Sequence, residues 1–306
     1  MILTNITDQL KNLTDPSNVF INEKMSDHTT FRVGGCADIF VSPHGTKEAT
    51  DIVRLLLAQS FPFTVIGNGS NILVSDSGYR GCIVCMEHED ITVSGDDISV
   101  SAGTMLSKVA RLAYENGLTG LEFASGIPGS VGGAVVMNAG AYGGEMKDVV
   151  SSVTLYDTEK DSVETLPCDE MEFGYRTSIV KHHPYIVLGA DLKLKAGDKQ
   201  KIKETMDELA VKRRTKQPLE YPSAGSTFKR PEGYFAGKLI EDSGLRGYTV
   251  GGAAVSDKHC GFVINRGGAT ADDIIRLIRD VRSKVYEDSK VMLEPEVVLI
   301  GEGMQL

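Results

Sequence analysis

The sequence has no tryptophan, only five cysteines, no excess of positive charge, and not one charged residue from Phe123 to Gly144. Each shortage removes a class of explanation. Five is an odd count, spread from Cys36 to Cys260, so the disulfide framework of a small secreted domain does not arise. Cys82 and Cys85 form a CxxC in "GCIVCM", but residues three apart on a strand face opposite ways, and no second CxxC completes a zinc site. Both are expected to be structural. The six histidines show no HExxH or similar spacing, so no metal site is expected, and His182 and His183 read as loop residues before Pro184. With 32 basic against 42 acidic residues, the chain lacks the cationic surface on which general nucleic-acid affinity depends. The opening residues, "MILTNITDQLKNLTDPSN", show no basic segment leading into an apolar stretch, so the expected compartment is the cytoplasm.

The uncharged run, "FASGIPGSVGGAVVMNAGAYGG", is long enough to ask whether it spans a membrane, which takes roughly 20 apolar residues. Gly129 and Gly133 even carry the GxxxG spacing of membrane-helix pairs. Pro128, Asn138 and seven glycines oppose a continuous helix. The run therefore reads as tightly packed backbone, where glycine permits sharp turns and close approach of another surface.

At 306 residues, 41% of them hydrophobic, the chain can bury a sizeable core in two or three domains. The first region runs from "HTTFRVGGCADIFV" through a helix over about 46–60, with Ile52, Leu55 and Leu56 on one face, to "FTVIGNGSNILVSD". The second holds the alternating "ITVSGDDISVSAG", a helix over 104–116 stopped by Gly117, the glycine-rich run, and the strand-rich "VVSSVTLYDTEKDSVETL" and "YIVLGADLKLK". A helix near 199–214 leads into the third. There the box Thr270-Ala-Asp-Asp273 opens a helix whose stripe Ile274, Ile278, Val281 and Val285 should face a core, and the strand "EVVLIGE" closes the chain.

Two loops carry chemical signals. In "VIGNGSNILV", Gly67 and Gly69 begin a GxGxxG, but Ile72 holds the third glycine's place and strand formers follow, so a dinucleotide fingerprint fails. Successive backbone N–H groups at such a bend can still bind a diphosphate, and Asn-Gly is equally the favoured pair of a hairpin turn. Both readings stand. The second loop, "GIPGSVGGAVVMNAG", would let a flat or phosphate-bearing cofactor lie directly on backbone. The basic cluster "KRRTK", 212–216, complements a helix C-terminus or binds phosphate.

The ordered set "IGNGSNILVSD", "LEFASGIPGSVGGAVVMNAGAYGGEM", "FGYRTS", "AGSTFKRP" and "LEPEVVLIGE" resembles the UDP-N-acetylenolpyruvoylglucosamine reductase (MurB) family from about residue 26 onward. The resemblance implies an α+β fold. Residues 1–88 and 89–198 would form a two-part FAD-binding region of the vanillyl-alcohol-oxidase, or PCMH, type, and 199–306 an α+β substrate-binding domain. Gly67, Asn68, Gly69, Ser70 and Asn71 would receive the FAD diphosphate, noncovalently, while Gly126, Ile127, Pro128, Gly129, Ser130, Gly133 and Asn138 line the flavin. On this view, valine at Gly69 displaces a phosphate oxygen and leaves the fold intact.

The activity implied is NADPH-dependent reduction of UDP-N-acetylglucosamine enolpyruvate in peptidoglycan synthesis. Hydride would pass from flavin N5 to C3, and a proton to C2. Arg176 would hold the substrate carboxylate, Ser226 would donate the proton, and Glu296 would stabilise the enolic intermediate or orient a proton path. Tyr175, Lys229 and Arg230 would contact the substrate's diphosphate or carboxylate. The stretch between Arg176 and Ser226 is too short for the inserted tyrosine loop of longer members, so another group must close the site. Two rivals share the glycine loops: an FAD oxidase of sugars or alcohols, and a non-enzymatic nucleotide-binding or scaffold protein.

Overall fold

The computed structural model describes residues 2 to 306, and by internal packing the chain divides into two compact units. The first comprises Met1–Ile21, Ile39–Asn68 and Gly81–Arg213; the second comprises Asn22–Asp38, Gly69–Arg80 and Arg214–Leu306. The contiguous thirds read from sequence thus differ from the packing: the first two lie largely in one unit, which also takes residues 199–213, while segments 22–38 and 69–80 belong to the second.

In the first unit, helix Thr46–Ala58 turns Ile52 and Leu56 into a core shared with Ile39, Val41, Cys82 and Val84. Strand Phe63–Ile66 pairs in parallel with Cys82 to Cys85 of strand Tyr79–Cys85. A five-stranded antiparallel sheet follows, in the order Ser162–Pro167, Val150–Asp157, Tyr185–Lys193, Asp97–Ser101, Ile91–Ser94. The alternation in "ITVSGDDISVSAG" becomes its edge hairpin, with Ser94 opposite Asp97 and Gly95 at φ +61 in the bend. Helix Leu106–Glu115 buries Leu106, Val109, Ala110 and Ala113 and stops at Gly117, whose φ of +70 suits glycine best. No helix among the described residues is long and apolar enough to cross a membrane.

In the second unit, helix Ala271–Ser289 has the reciprocal capping box expected of Thr270 and Asp273, and Ile274, Ile278, Val281 and Val285 are fully buried. Its partners include the short sheet Thr249–Val250, Ala253–Val255, Val263–Asn265. Residues 22–38 and 69–80 belong here because Phe31, Val33 and Leu73 are buried in the same core, and strand Ile72–Val74 pairs in parallel with Val298–Ile300.

Asp76 anchors that insertion. Its carboxylate accepts from Ala271 N at 2.8 Å and Asp272 N at 3.0 Å, the first free amides of the long helix. Asp76→Ala should therefore lower the unfolding free energy by about 1–2 kcal/mol, and Asp76→Asn by less, as read by urea titration. Equal stability of Asp76→Ala and the parent would contradict this anchoring role.

Candidate active site

The uncharged run folds in the first unit as a short 3-10 turn, Glu122–Ala124, a helix, Val131–Val136, and a tight hairpin, Gly140–Ala141 with Gly144–Glu145. Most of its backbone is already bonded: Leu106 N donates to Gly129 O at 2.9 Å, Val131 N to Thr104 O at 2.9 Å, and Gly132 N to Ala102 O at 2.8 Å. The run is thereby fixed without charged side chains. Gly67 approaches so closely that a Cβ on it would lie 2.1 Å from Ser130 Oγ, and Asn68 Nδ2 donates to Pro128 O at 2.7 Å. Two loops far apart in sequence are laced together here.

Beside them opens a cavity of about 380 Å³, within the size range of small-molecule and cofactor sites. Gly67, Ser130, Gly132 and Gly133 form its glycine side. Ile66 and Ile186 belong to an apolar wall that sequence reasoning missed, because strand residues facing a ligand look the same as strand residues facing a core. The hairpin reading of "VIGNGSNILV" is corrected. Strand Phe63–Ile66 pairs with Tyr79–Cys85, and strand Ile72–Val74 with Val298–Ile300.

Three expectations change in detail. Gly69, at φ +60, is packed so that a Cβ would lie 2.0 Å from the backbone oxygen of His28, so valine there strains the protein itself. Asn71 gives its side-chain amide to Glu296 O at 3.3 Å and its carbonyl to Val298 N at 3.0 Å, tying it to the closing strand of the second unit; Ser70 beside it is half-buried. Asn138 is only 1% exposed: Nδ2 donates to Glu145 Oε2 at 2.9 Å and Gly174 O at 3.1 Å, while Oδ1 accepts from Lys147 N at 2.9 Å. Both of its amide hydrogens are thus spent on the protein, and one lone pair of Oδ1 is left.

Asn138 also fixes the turn that carries Arg176. Gly174 and Thr177 bridge one another, Ser178 Oγ donates to Val136 O at 2.9 Å, and Arg176 sits between them at φ +56, a conformation uncommon outside glycine. Its Nη1 reaches Gly140 O at 3.5 Å, and its guanidinium carbon lies 5.6 Å from the ring centroid of exposed Tyr175.

The second unit holds the other candidates. Glu296 N donates to Thr227 O at 2.8 Å and Lys229 N to Glu294 O at 2.8 Å, so the segment after Ser226 runs antiparallel to the segment ending at Glu296. Ser226 is exposed and Glu296 half-buried. Lys229 forms an ion pair with Glu294, and Arg230 lies 4.0 Å above the ring centroid of Phe235. Cys82 is not a reactive thiol: burial pushes its pKa up to about 12, and Cys85 is raised by burial and then by Glu87.

Residues 37–166 match the family described as "FAD binding domain", and residues 217–300 the one described as "UDP-N-acetylenolpyruvoylglucosamine reductase, C-terminal domain". The chain is 49% identical to a UDP-N-acetylenolpyruvoylglucosamine reductase of Clostridioides difficile over 96% of its own length and 97% of that protein's. With that of Exiguobacterium sibiricum it shares 50% identity, over 93% of each. The crystal structure of the reductase from Thermus caldophilus superposes with a TM-score of 0.78 at 36% identity, covering 92% of this chain and 98% of that one.

FAD is thus the cofactor, and the first unit fits it: a glycine-sided cavity, an apolar wall, and half-buried Arg213, whose Nε and Nη1 have no acceptor among the described residues. Gly133 offers the clean test that Gly69 does not. A Cβ on it would meet only Ser130 Oγ, at 3.6 Å, and leucine favours helix more than glycine does. Gly133→Leu should keep the parent's thermal unfolding midpoint within a few degrees but bind FAD roughly 100-fold more weakly, since the added side chain occupies the cavity. A stable variant that still copurifies with stoichiometric FAD would remove the cavity from the cofactor site.

Proposed function

Because the chain belongs to the UDP-N-acetylenolpyruvoylglucosamine reductase family, we propose that it reduces the enolpyruvyl group of UDP-N-acetylglucosamine enolpyruvate to UDP-N-acetylmuramate, using NADPH, in the cytoplasm. All five cysteines are free, which suits a reducing compartment. The observation that carries the reading is the backbone pairing that sets Ser226 beside Glu296, two residues 70 positions apart in sequence.

FAD, when bound, supplies a two-electron carrier between NADPH and C3 of the enolpyruvyl group. The chain's own groups deal with charge and protons. Arg176 pairs its planar guanidinium with the substrate carboxylate, which orients the double bond and draws electron density toward the carboxylate as C2 becomes carbanionic. The turn under it is held from below by Asn138 and Ser178, so the guanidinium needs little reordering when substrate arrives. Ser226 gives the proton to C2. Glu296, anchored through Thr227 O and Asn71 Nδ2, stabilises the enolic form or orients the proton path. Tyr175, Lys229 and Arg230 complete the contacts to the substrate's anionic groups; Lys229, held by Glu294, sits three residues from Ser226, where its charge favours the serine alkoxide. Gly67 to Asn71, with Gly126, Ile127, Pro128, Gly129, Ser130 and Gly133, hold the cofactor through backbone.

Dividing the reaction at the flavin separates these roles. Ser226→Ala should be bleached by NADPH at close to the parent rate, yet recover its oxidised spectrum roughly 10²- to 10⁴-fold more slowly when the enolpyruvyl substrate is added without oxygen. Equal slowing of both halves would make Ser226 a packing residue. Arg176→Lys keeps the charge but loses the two-pronged geometry, and should slow the second half-reaction by roughly tenfold or more. Turnover at the parent rate would rule out the carboxylate clamp.

A further inference from the structure

Within the basic cluster 212–216, Arg213 alone turns inward while Lys212, Arg214, Thr215 and Lys216 stay exposed. Its guanidinium lies against Gly126: a Cβ there would sit 2.4 Å from Nη1 and 3.2 Å from Cζ. A side chain at position 126 would displace the guanidinium. Nε and Nη1 are buried with no hydrogen-bond partner among the described residues, while the guanidinium is also bonded to the phenol of Tyr142. Burial lowers the group's pKa, and the phenol of Tyr142 offsets part of that effect. A guanidinium nevertheless stays protonated throughout the physiological range, so a fixed positive charge is left facing no carboxylate. Buried polar groups in native structures find acceptors in protein, in water or in a ligand.

The acceptor has to be an electron-rich oxygen or nitrogen, and the surroundings say which. Arg213 does not line the cavity at Gly67, Gly132 and Gly133; it lies on Gly126, four residues before Ser130. Tyr142 sits at the bend of the same hairpin whose Gly140 carbonyl holds Arg176. On the proposed reading, in which Gly126 and its neighbours line the flavin, Arg213 stands beside the ring. We propose that Arg213 is a cofactor-contacting residue that donates to the N1–C2=O edge of the flavin ring and stabilises the negative charge this edge gains on two-electron reduction. This rests on the FAD reading above. It assigns a role to a cluster that helix-dipole complementarity alone would have explained.

The test is made on the substrate-free protein reconstituted with FAD, so that turnover is not the readout. Arg213→Met should bind oxidised FAD with nearly the parent affinity and reduced FAD roughly tenfold more weakly, which lowers the midpoint potential by about 30 mV. Arg213→Lys should retain most of the parent potential. Arg213→Gln, which removes the charge and keeps an amide donor, gives the same reading should the methionine variant prove unstable. Equal weakening of both oxidation states would assign the guanidinium to the permanently charged diphosphate and overturn the proposal. So would unchanged FAD binding with weakened substrate binding, or no change in either. A parent protein that binds no FAD would sink the functional reading itself, whereas a parent that binds FAD beside variants of unshifted potential sinks this inference alone.

Discussion

The cofactor region of the first unit depends on glycine backbone lying closer to neighbouring residues than a Cβ would allow. A Cβ on Gly67 would lie 2.1 Å from Ser130 Oγ, and one on Gly132 would lie 2.9 Å from the Cβ of Ala102. Amides of the intervening residues bond to carbonyls of Ala102 and Thr104, and the carbonyl of Gly129 accepts from Leu106. Close approach thus does two things at once. It satisfies a loop that has no charged side chain, and it leaves beside that loop a cavity whose glycine side is backbone.

Two polar side chains in this unit show the difference between a structural group and a binding group. Asn138 uses both amide hydrogens and its carbonyl on protein partners, and so ties the glycine-rich run to the turn under Arg176. Arg213 is half-buried, with Nε and Nη1 buried and without an acceptor among the described residues. Leaving a buried donor unmet costs about 1–3 kcal/mol, more for a charged one, so an amide whose donors are all used can serve as scaffold, while the unmet donors of Arg213 are what the proposal above rests on. Residue type alone would have suggested the reverse for Asn138, which lies in the middle of a cofactor motif.

Much of the fold was legible because local rules and tertiary structure agree. The stripe Ile274, Ile278, Val281, Val285 and the box at Thr270 describe one helix consistently from opposite ends, and the alternation from Ile91 to Ser101 forms the hairpin it suggests. Less was legible at the candidate site. Ile66 and Ile186 carry no mark in sequence to separate a ligand-facing from a core-facing apolar residue, and nothing near Arg213 in sequence says that it packs on Gly126.

What the sequence by itself determined is what depends on neighbours a few residues away: helix caps, strand alternation, the glycine positions, and the ordered motifs that identify the family. Tertiary structure decided which groups meet. It joined residues 22–38 and 69–80 to the C-terminal core through Phe31, Val33 and Leu73, paired the Ser226 segment with the Glu296 segment, and spent the amides of Asn71 and Asn138 on protein carbonyls and a carboxylate. The physical reason is that a hydrogen bond or a close packing contact is specified by distance in space, and a chain's local preferences do not contain the position of a partner dozens or hundreds of residues away.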